Sequence, residues 1–239
     1  MAIQHRLVEY TDGDTLLEGY LAYDDTVSGS RPCIIIAHTW AGRSEFECKQ
    51  ADKLARLGYV GFALDMYGKG VLGNGPEENE VLMTPFMEDR PALQQRMAAA
   101  LATAGQQPEV DAAKMASMGY CFGGLCSLDL ARTSSSILGA VSFHGLFLAP
   151  GNTEGNKVSA KVLCLHGNDD PMVPVDSVIG LEKELTEAGA DWQIHAYGNT
   201  LHAFTNTDAA SPEMGMAYSA TADRRSWTSL VNFLEEVFE

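Results

Sequence analysis

The chain has 239 residues and a mass of 25.8 kDa, enough for one full-sized α/β core and short for two, so residues 1–239 are read as a single domain. With 16 Lys and Arg against 32 Asp and Glu, the formal charge is -16, which argues against partners such as nucleic acid or an anionic membrane surface. The expected partner is a small molecule, in a monomer or a homodimer.

In chain order, "HRLVEY", a turn at "TDGD" and "TLLEGYLAY" read as a hairpin around Asp12-Gly13. Six short apolar runs follow: "CIIIAH" (33 to 38), "YVGFALD" (59 to 65), "KMASMGY" (114 to 120), "LGAVSFHG" (138 to 145), "AKVLCLHG" (160 to 167) and "WQIHAY" (192 to 197). Several are almost continuously apolar, as strands buried on both faces of a parallel sheet are. Between them lie helical segments. Ser44 and Glu47 form a capping box for "SEFECKQADKLARLG", which Gly58 ends; Pro91 opens "PALQQRMAAALATAG"; Asp176 caps "DSVIGLEKELTEAG". Trp227, Leu230, Val231, Leu234 and Phe238 give the last helix an apolar face. Residues 68–90, glycine-rich and long, are expected to be a loop over a site. The alternation predicts a three-layer α/β fold, with a mostly parallel central sheet of about eight strands and helices on both faces.

The first residues carry charge rather than a signal-peptide apolar run, and no stretch reaches the roughly 20 apolar residues of a membrane helix. Five cysteines (Cys33, Cys48, Cys121, Cys126, Cys164) without a CxxC pair fit reduced thiols in a cytoplasmic protein.

"GYCFGG", residues 119–124, has the spacing of a nucleophile elbow, G-x-C-x-G, between a strand and a helix. The turn requires small residues two before and two after the nucleophile, here Gly119 and Gly123. Cys121 would stand at the turn, with the helix N-terminus favouring its thiolate. The alternative is a structural cysteine in a glycine-rich junction. Cys126, inside the helix, and Cys164, inside a strand, read as inert core residues.

A nucleophilic thiol gains from a base, and the base from an orienting carboxylate. "VLCLHGNDDPMVP" supplies the acid at Asp170, with Asp169 as rival, and "HAYGNTLHAF" supplies His202, in the order nucleophile, acid, histidine. The backbone N–H groups of Phe122 and Trp40 are the candidate oxyanion donors. His38, His144 and His166 each end an apolar strand, but their spacings match no metal signature, and no metal site is expected.

These residues resemble the dienelactone hydrolase family, α/β-hydrolases with a Cys-Asp-His triad. The likeness runs through "ALDMYGKG", "GYCFGG", "LHGNDDPMVP" and "HAF". It implies hydrolysis of an ester or lactone through a thioester on Cys121, without a cofactor. Three positions depart from the chlorocatechol-pathway members. Thr39 of "HTWAG" stands where they have a glutamate that contacts the resting thiol. Lys69 and Asn206 stand where two arginines hold the substrate carboxylate. The likeness therefore gives Thr39, Lys69 and Asn206 as substrate-side residues and puts dienelactone itself in question. The contrasting reading is a non-catalytic binding protein or thiol redox sensor on the same fold.

Overall fold

The computed structural model describes residues 2–239, which divide into two compact units, residues 2–118 and 119–239. In the first, β1 (Ile3–Asp12) and β2 (Thr15–Asp24) pair antiparallel up to Asp12 opposite Thr15, with Gly13 at φ 56° in the turn. β3 (Arg31–Ala37) lies parallel to β4 (Val60–Ala63), and β2 pairs antiparallel with β4. Between β3 and β4 runs α1 (Glu45–Arg56), which starts in the expected capping box of Ser44 and Glu47. Gly58, at φ 90°, takes the left-handed position after its end. α1 packs so closely on β4 that a Cβ at Gly61 would lie 2.6 Å from Ala51 Cα.

Residues 68–90 are not the loop the sequence suggested, because α2 (Pro76–Glu88) occupies most of them. Pro76 opens it, and Glu77 and Glu78 face the positive end of the helix. Asn79 is its only buried residue, so the apolar periodicity by which a helix is read in sequence is missing. α3 (Arg90–Gly105) follows, capped by the Asp89 side chain, and β5 (Val110–Tyr120) starts four residues ahead of its apolar run.

The second unit is built on α4 (Phe122–Thr133), β6 (Gly139–Phe143), β7 (Lys161–Gly167), α5 (Val175–Glu187), β8 (Trp192–Tyr197) and α6 (Ala220–Phe238). β6, β7 and β8 are parallel neighbours, Gly139 opposite Lys161 and Val162 opposite Trp192. Every residue of β6 is buried, as expected when helices cover both faces. Phe233 and Val237 of α6 close over Gly139, where a Cβ would meet them at 3.0 and 3.1 Å. Along α6, Leu230, Leu234 and Phe238 are buried as the apolar pattern requires, while Trp227 and Val231 are half-exposed and Phe233 fills the core instead. Asp176 does not cap α5; Pro174 holds the cap position, which places Asp176 within the first turn, where its charge still suits the helix dipole. β9 (Ala210–Ser211) and β10 (Met216–Ala217) form a two-residue ladder with no apolar signature.

The fold is the three-layer α/β-hydrolase fold, with a mostly parallel eight-stranded sheet and helices. Among the described residues no helix is long and apolar enough to cross a membrane. The capping box sets a stability prediction. Ser44→Ala removes the hydroxyl that accepts the Phe46 N–H and should lower unfolding free energy by about 1 kcal/mol. A urea melt with an unchanged midpoint would count against that role for Ser44.

Candidate active site

The turn between β5 and α4 is set by backbone contact. A Cβ at Gly119 would lie 2.1 Å from Gly123 O and 2.2 Å from Gly123 C, so no larger residue fits there. Cys121, at the apex, has φ 56° and ψ -116°, a left-handed conformation that a non-glycine residue holds only when its surroundings impose it. Its N–H donates to Phe143 O at the end of β6 (3.0 Å), and its side chain is partly exposed. Cys126 and Cys164 are fully buried, as the sequence suggested. Burial pushes the Cys164 thiol up to about 12 and raises Cys33 and Cys48 too.

The acid follows β7. Gly167 ends the strand against the next loop, where a Cβ would be 2.6 Å from both Thr200 O and Leu201 O. The Asp170 N–H returns to Gly167 O (3.0 Å), which turns the carboxylate inward. Oδ1 accepts the Met172 N–H at 2.9 Å, and Oδ2 lies 2.7 Å from His202 Nδ1. Both side chains are buried. Asp169 is exposed, and its Oδ1 accepts from the Asn168 side chain. Of the two candidate acids, Asp170 is therefore the one that meets the histidine.

His202 is fixed through its backbone. Its N–H donates to Gly215 O (2.9 Å), and its carbonyl accepts from the Ala217 N–H (3.1 Å), an isolated bridge alongside β10. The chain then turns at Ala203, φ 56°. Burial by itself would lower the His202 pKa; the electrostatic interaction with Cys121 and the hydrogen bond to Asp170 outweigh it and hold the ring at about 10. Nε2 is buried and completes no well-aligned hydrogen bond among the described residues, although the thiol is near enough to act on the ring.

His144 and His166 lie around this pair. The His144 ring meets the His202 ring edge-on at 5.1 Å between centroids, and its Nε2 is 2.8 Å from Thr205 Oγ1. Burial, then the charge of His202, drives the His144 pKa well below its ordinary value. Burial also lowers His166, against the pull of Asp170. The sequence weighed both histidines only as metal ligands; no short motif links either to His202.

The remaining predicted residues fall as follows. Phe122 is the first residue of α4, directly after Cys121. Asn206 is exposed, and its Oδ1 accepts the Asp208 N–H. In the first unit, the Thr39 N–H donates to Glu47 Oε1 (3.2 Å), and the Trp40 carbonyl accepts from Tyr67 Oη (3.0 Å). Lys69 is paired with the carboxylates of Glu9 and Glu18. Glu47 is fully buried; besides the Ser44 N–H of its capping box it accepts the Thr39 N–H, a second use that the capping-box spacing did not announce.

The model of the dienelactone hydrolase family matches residues 17–238. The chain belongs to the dienelactone hydrolase family. It is a carboxylic ester hydrolase of the lactone and ester type. A protein of Aquifex aeolicus (strain VF5) with a provisional carboxymethylenebutenolidase name is 27% identical over 96% of this chain and 97% of its own. A solved structure named m3DLH superposes with a TM-score of 0.96 at 35% identity, covering 100% of both chains. A dienelactone hydrolase-like promiscuous phosphotriesterase from metagenomic libraries does so at 0.93, also with 35% identity and 100% of both chains.

Two predictions follow for this dienelactone hydrolase family member. Gly119→Ala places a methyl group against the Gly123 carbonyl and should cost about 1–3 kcal/mol of stability together with most of the activity. An active variant as stable as the parent would mean that the turn relaxes freely. The second concerns pH. The His202 pKa is raised above its ordinary 6.5, so its contribution to stability is complete below about 6.5 and is lost as pH rises through about 10. Urea titrations across that window should show a decline that His202→Gln flattens; parallel profiles would refute it.

Proposed function

We propose that this enzyme hydrolyses small carboxylic esters or lactones by covalent catalysis at Cys121. The observation that carries the reading is the 2.7 Å contact between Asp170 Oδ2 and His202 Nδ1, both buried, beside a partly exposed thiol on a strained turn. Asp170 fixes the ring so that Nε2 is the nitrogen that serves the thiol. With the proton on His202, the Cys121 sulfur attacks the ester carbonyl. Nε2 then protonates the departing oxygen, leaving an acyl thioester. A water molecule gives a proton to Nε2 as it attacks the thioester, the C–S bond breaks, and the thiolate is restored.

The developing oxyanion is assigned to the N–H of Phe122, the residue after the nucleophile at the positive end of α4. A cofactor has no part in these steps. A second substrate class is favoured by one observation, the full-length likeness to a promiscuous phosphotriesterase: phosphotriesters, attacked by the same sulfur.

Cys121→Ala should reduce p-nitrophenyl acetate turnover by about 10³-fold or more. Intact mass during turnover should show a transient acetyl group on Cys121. In the free enzyme, iodoacetamide should label Cys121 before Cys33, Cys48, Cys126 and Cys164, which are more deeply buried or pushed to higher pKa. Undiminished turnover in Cys121→Ala would sink the assignment, and adducts that form only on oxidation, without turnover, would favour the redox-sensor reading.

A further inference from the structure

The end of β6 does two things at once. Phe143 O takes the Cys121 N–H, which pins the apex of the nucleophile turn. The next residue, His144, leaves the strand at φ 37°, held there by its own N–H to Leu165 O (2.8 Å). A left-handed non-glycine residue at a strand end is a local strain of the kind that collects at functional sites. The turn aims the His144 ring into the buried space beside the candidate triad. There it packs edge-on against His202 and Phe204, each at 5.1 Å, and tilts onto Tyr120, the residue before Cys121, at 5.9 Å. Its Nε2 reaches Oγ1 of Thr205, three residues beyond His202 and itself buried.

We infer that His144 is a positioning residue: hydrogen-bonded to Thr205 and packed on His202, it ties the histidine loop to the strand end that holds Cys121. The inference rests on the Cys121–His202 reading of the site.

The chemistry of the ring supports a role beyond filling space. His144 is 2% exposed, and its Nδ1 has no hydrogen-bond partner among the described residues. An apolar side chain would fill the space without an unsatisfied buried nitrogen, so the imidazole is justified by what its other nitrogen does. That nitrogen makes a directional bond to the loop that carries His202, which a hydrocarbon cannot make. Burial keeps His144 neutral, so it adds no second positive charge beside the imidazolium. The ionisable groups that act on His202 are then Cys121 and Asp170, with His144 and His166 neutral at its sides.

The test is a double-mutant cycle with His144→Phe and Thr205→Val, and Thr205→Ser as the conservative variant. His144→Phe and Thr205→Val should each lower kcat for p-nitrophenyl acetate about tenfold, the scale of one lost hydrogen bond, with KM within about twofold. The double variant should be no slower than the slower single variant, because both remove the same bond. Thr205→Ser keeps the hydroxyl and should keep most of the rate.

NMR titration of the His202 ring supplies a readout that mere packing would not move. In both single variants its midpoint should fall from about 10 toward 6.5, as the ring loses its fixed placement against Cys121. Additive losses in the cycle overturn the inference, as does an unchanged kcat and His202 titration in Thr205→Val, a variant that leaves the strand end untouched. Cys121→Ala separates the two failures. If it keeps turnover, the nucleophile reading falls; if it is inactive while Thr205→Val behaves as the parent, only the role of His144 falls.

Discussion

The close approach of Gly119 to Gly123 is the constraint on which the rest of the site depends. With no room for a side chain at Gly119, the chain reverses from strand into helix within a few residues, and Cys121 is driven into a left-handed conformation at the apex. The sulfur is thereby presented rather than packed, unlike Cys126 one turn further along the same helix. The strain has to be held from outside the turn. The hydrogen bond from the Cys121 N–H to Phe143 O does part of this, and the packing of Gly124 against Gly145, where a Cβ would lie 2.8 Å from Gly145 Cα, does more.

Parallel pairing supplies the other half of the geometry. β6, β7 and β8 run in one direction, so the turns that follow them gather at one sheet edge, where open α/β sheets place their ligands. Asp170 comes from the turn after β7 and His202 from the loop after β8. Gly167 allows those two segments to touch, and the backbone bridge from His202 to Met216 fixes the loop from its far side. Each reactive group is thus placed by backbone contacts before its side chain makes any bond.

Burying a carboxylate and an imidazolium is costly unless each satisfies the other. Asp170 uses both oxygens, one on a backbone N–H and one on His202, and the pairing with Cys121 and Asp170 raises the histidine above its ordinary range. The two neighbouring histidines shift the opposite way. In the mechanism proposed above, this separation gives the rings different work, one to carry the proton and the others to stay neutral around it.

The amino-acid sequence by itself determined the features that a few adjacent residues decide. The G-x-C-x-G turn, the Ser44–Glu47 capping box, the Asp12-Gly13 hairpin and the continuously apolar strands were all legible, because backbone sterics and local hydrogen bonds act over short separations. Asp170 and His202 were singled out as well, through their order along the chain and the resemblance to a known family. α2 was not, since a helix that buries only Asn79 carries no apolar stripe, and the cap of α5 was misplaced by two residues because Pro174, without a capping side chain, took the position. Only the tertiary structure shows that Asp170 rather than Asp169 meets His202, since the adjacent carboxylates differ in which way one turn faces. It also gave His144 its place, since the ring meets a loop some sixty residues away in sequence. Which buried groups become partners depends on how distant segments pack, and that information is spread over the whole second unit rather than held in any motif.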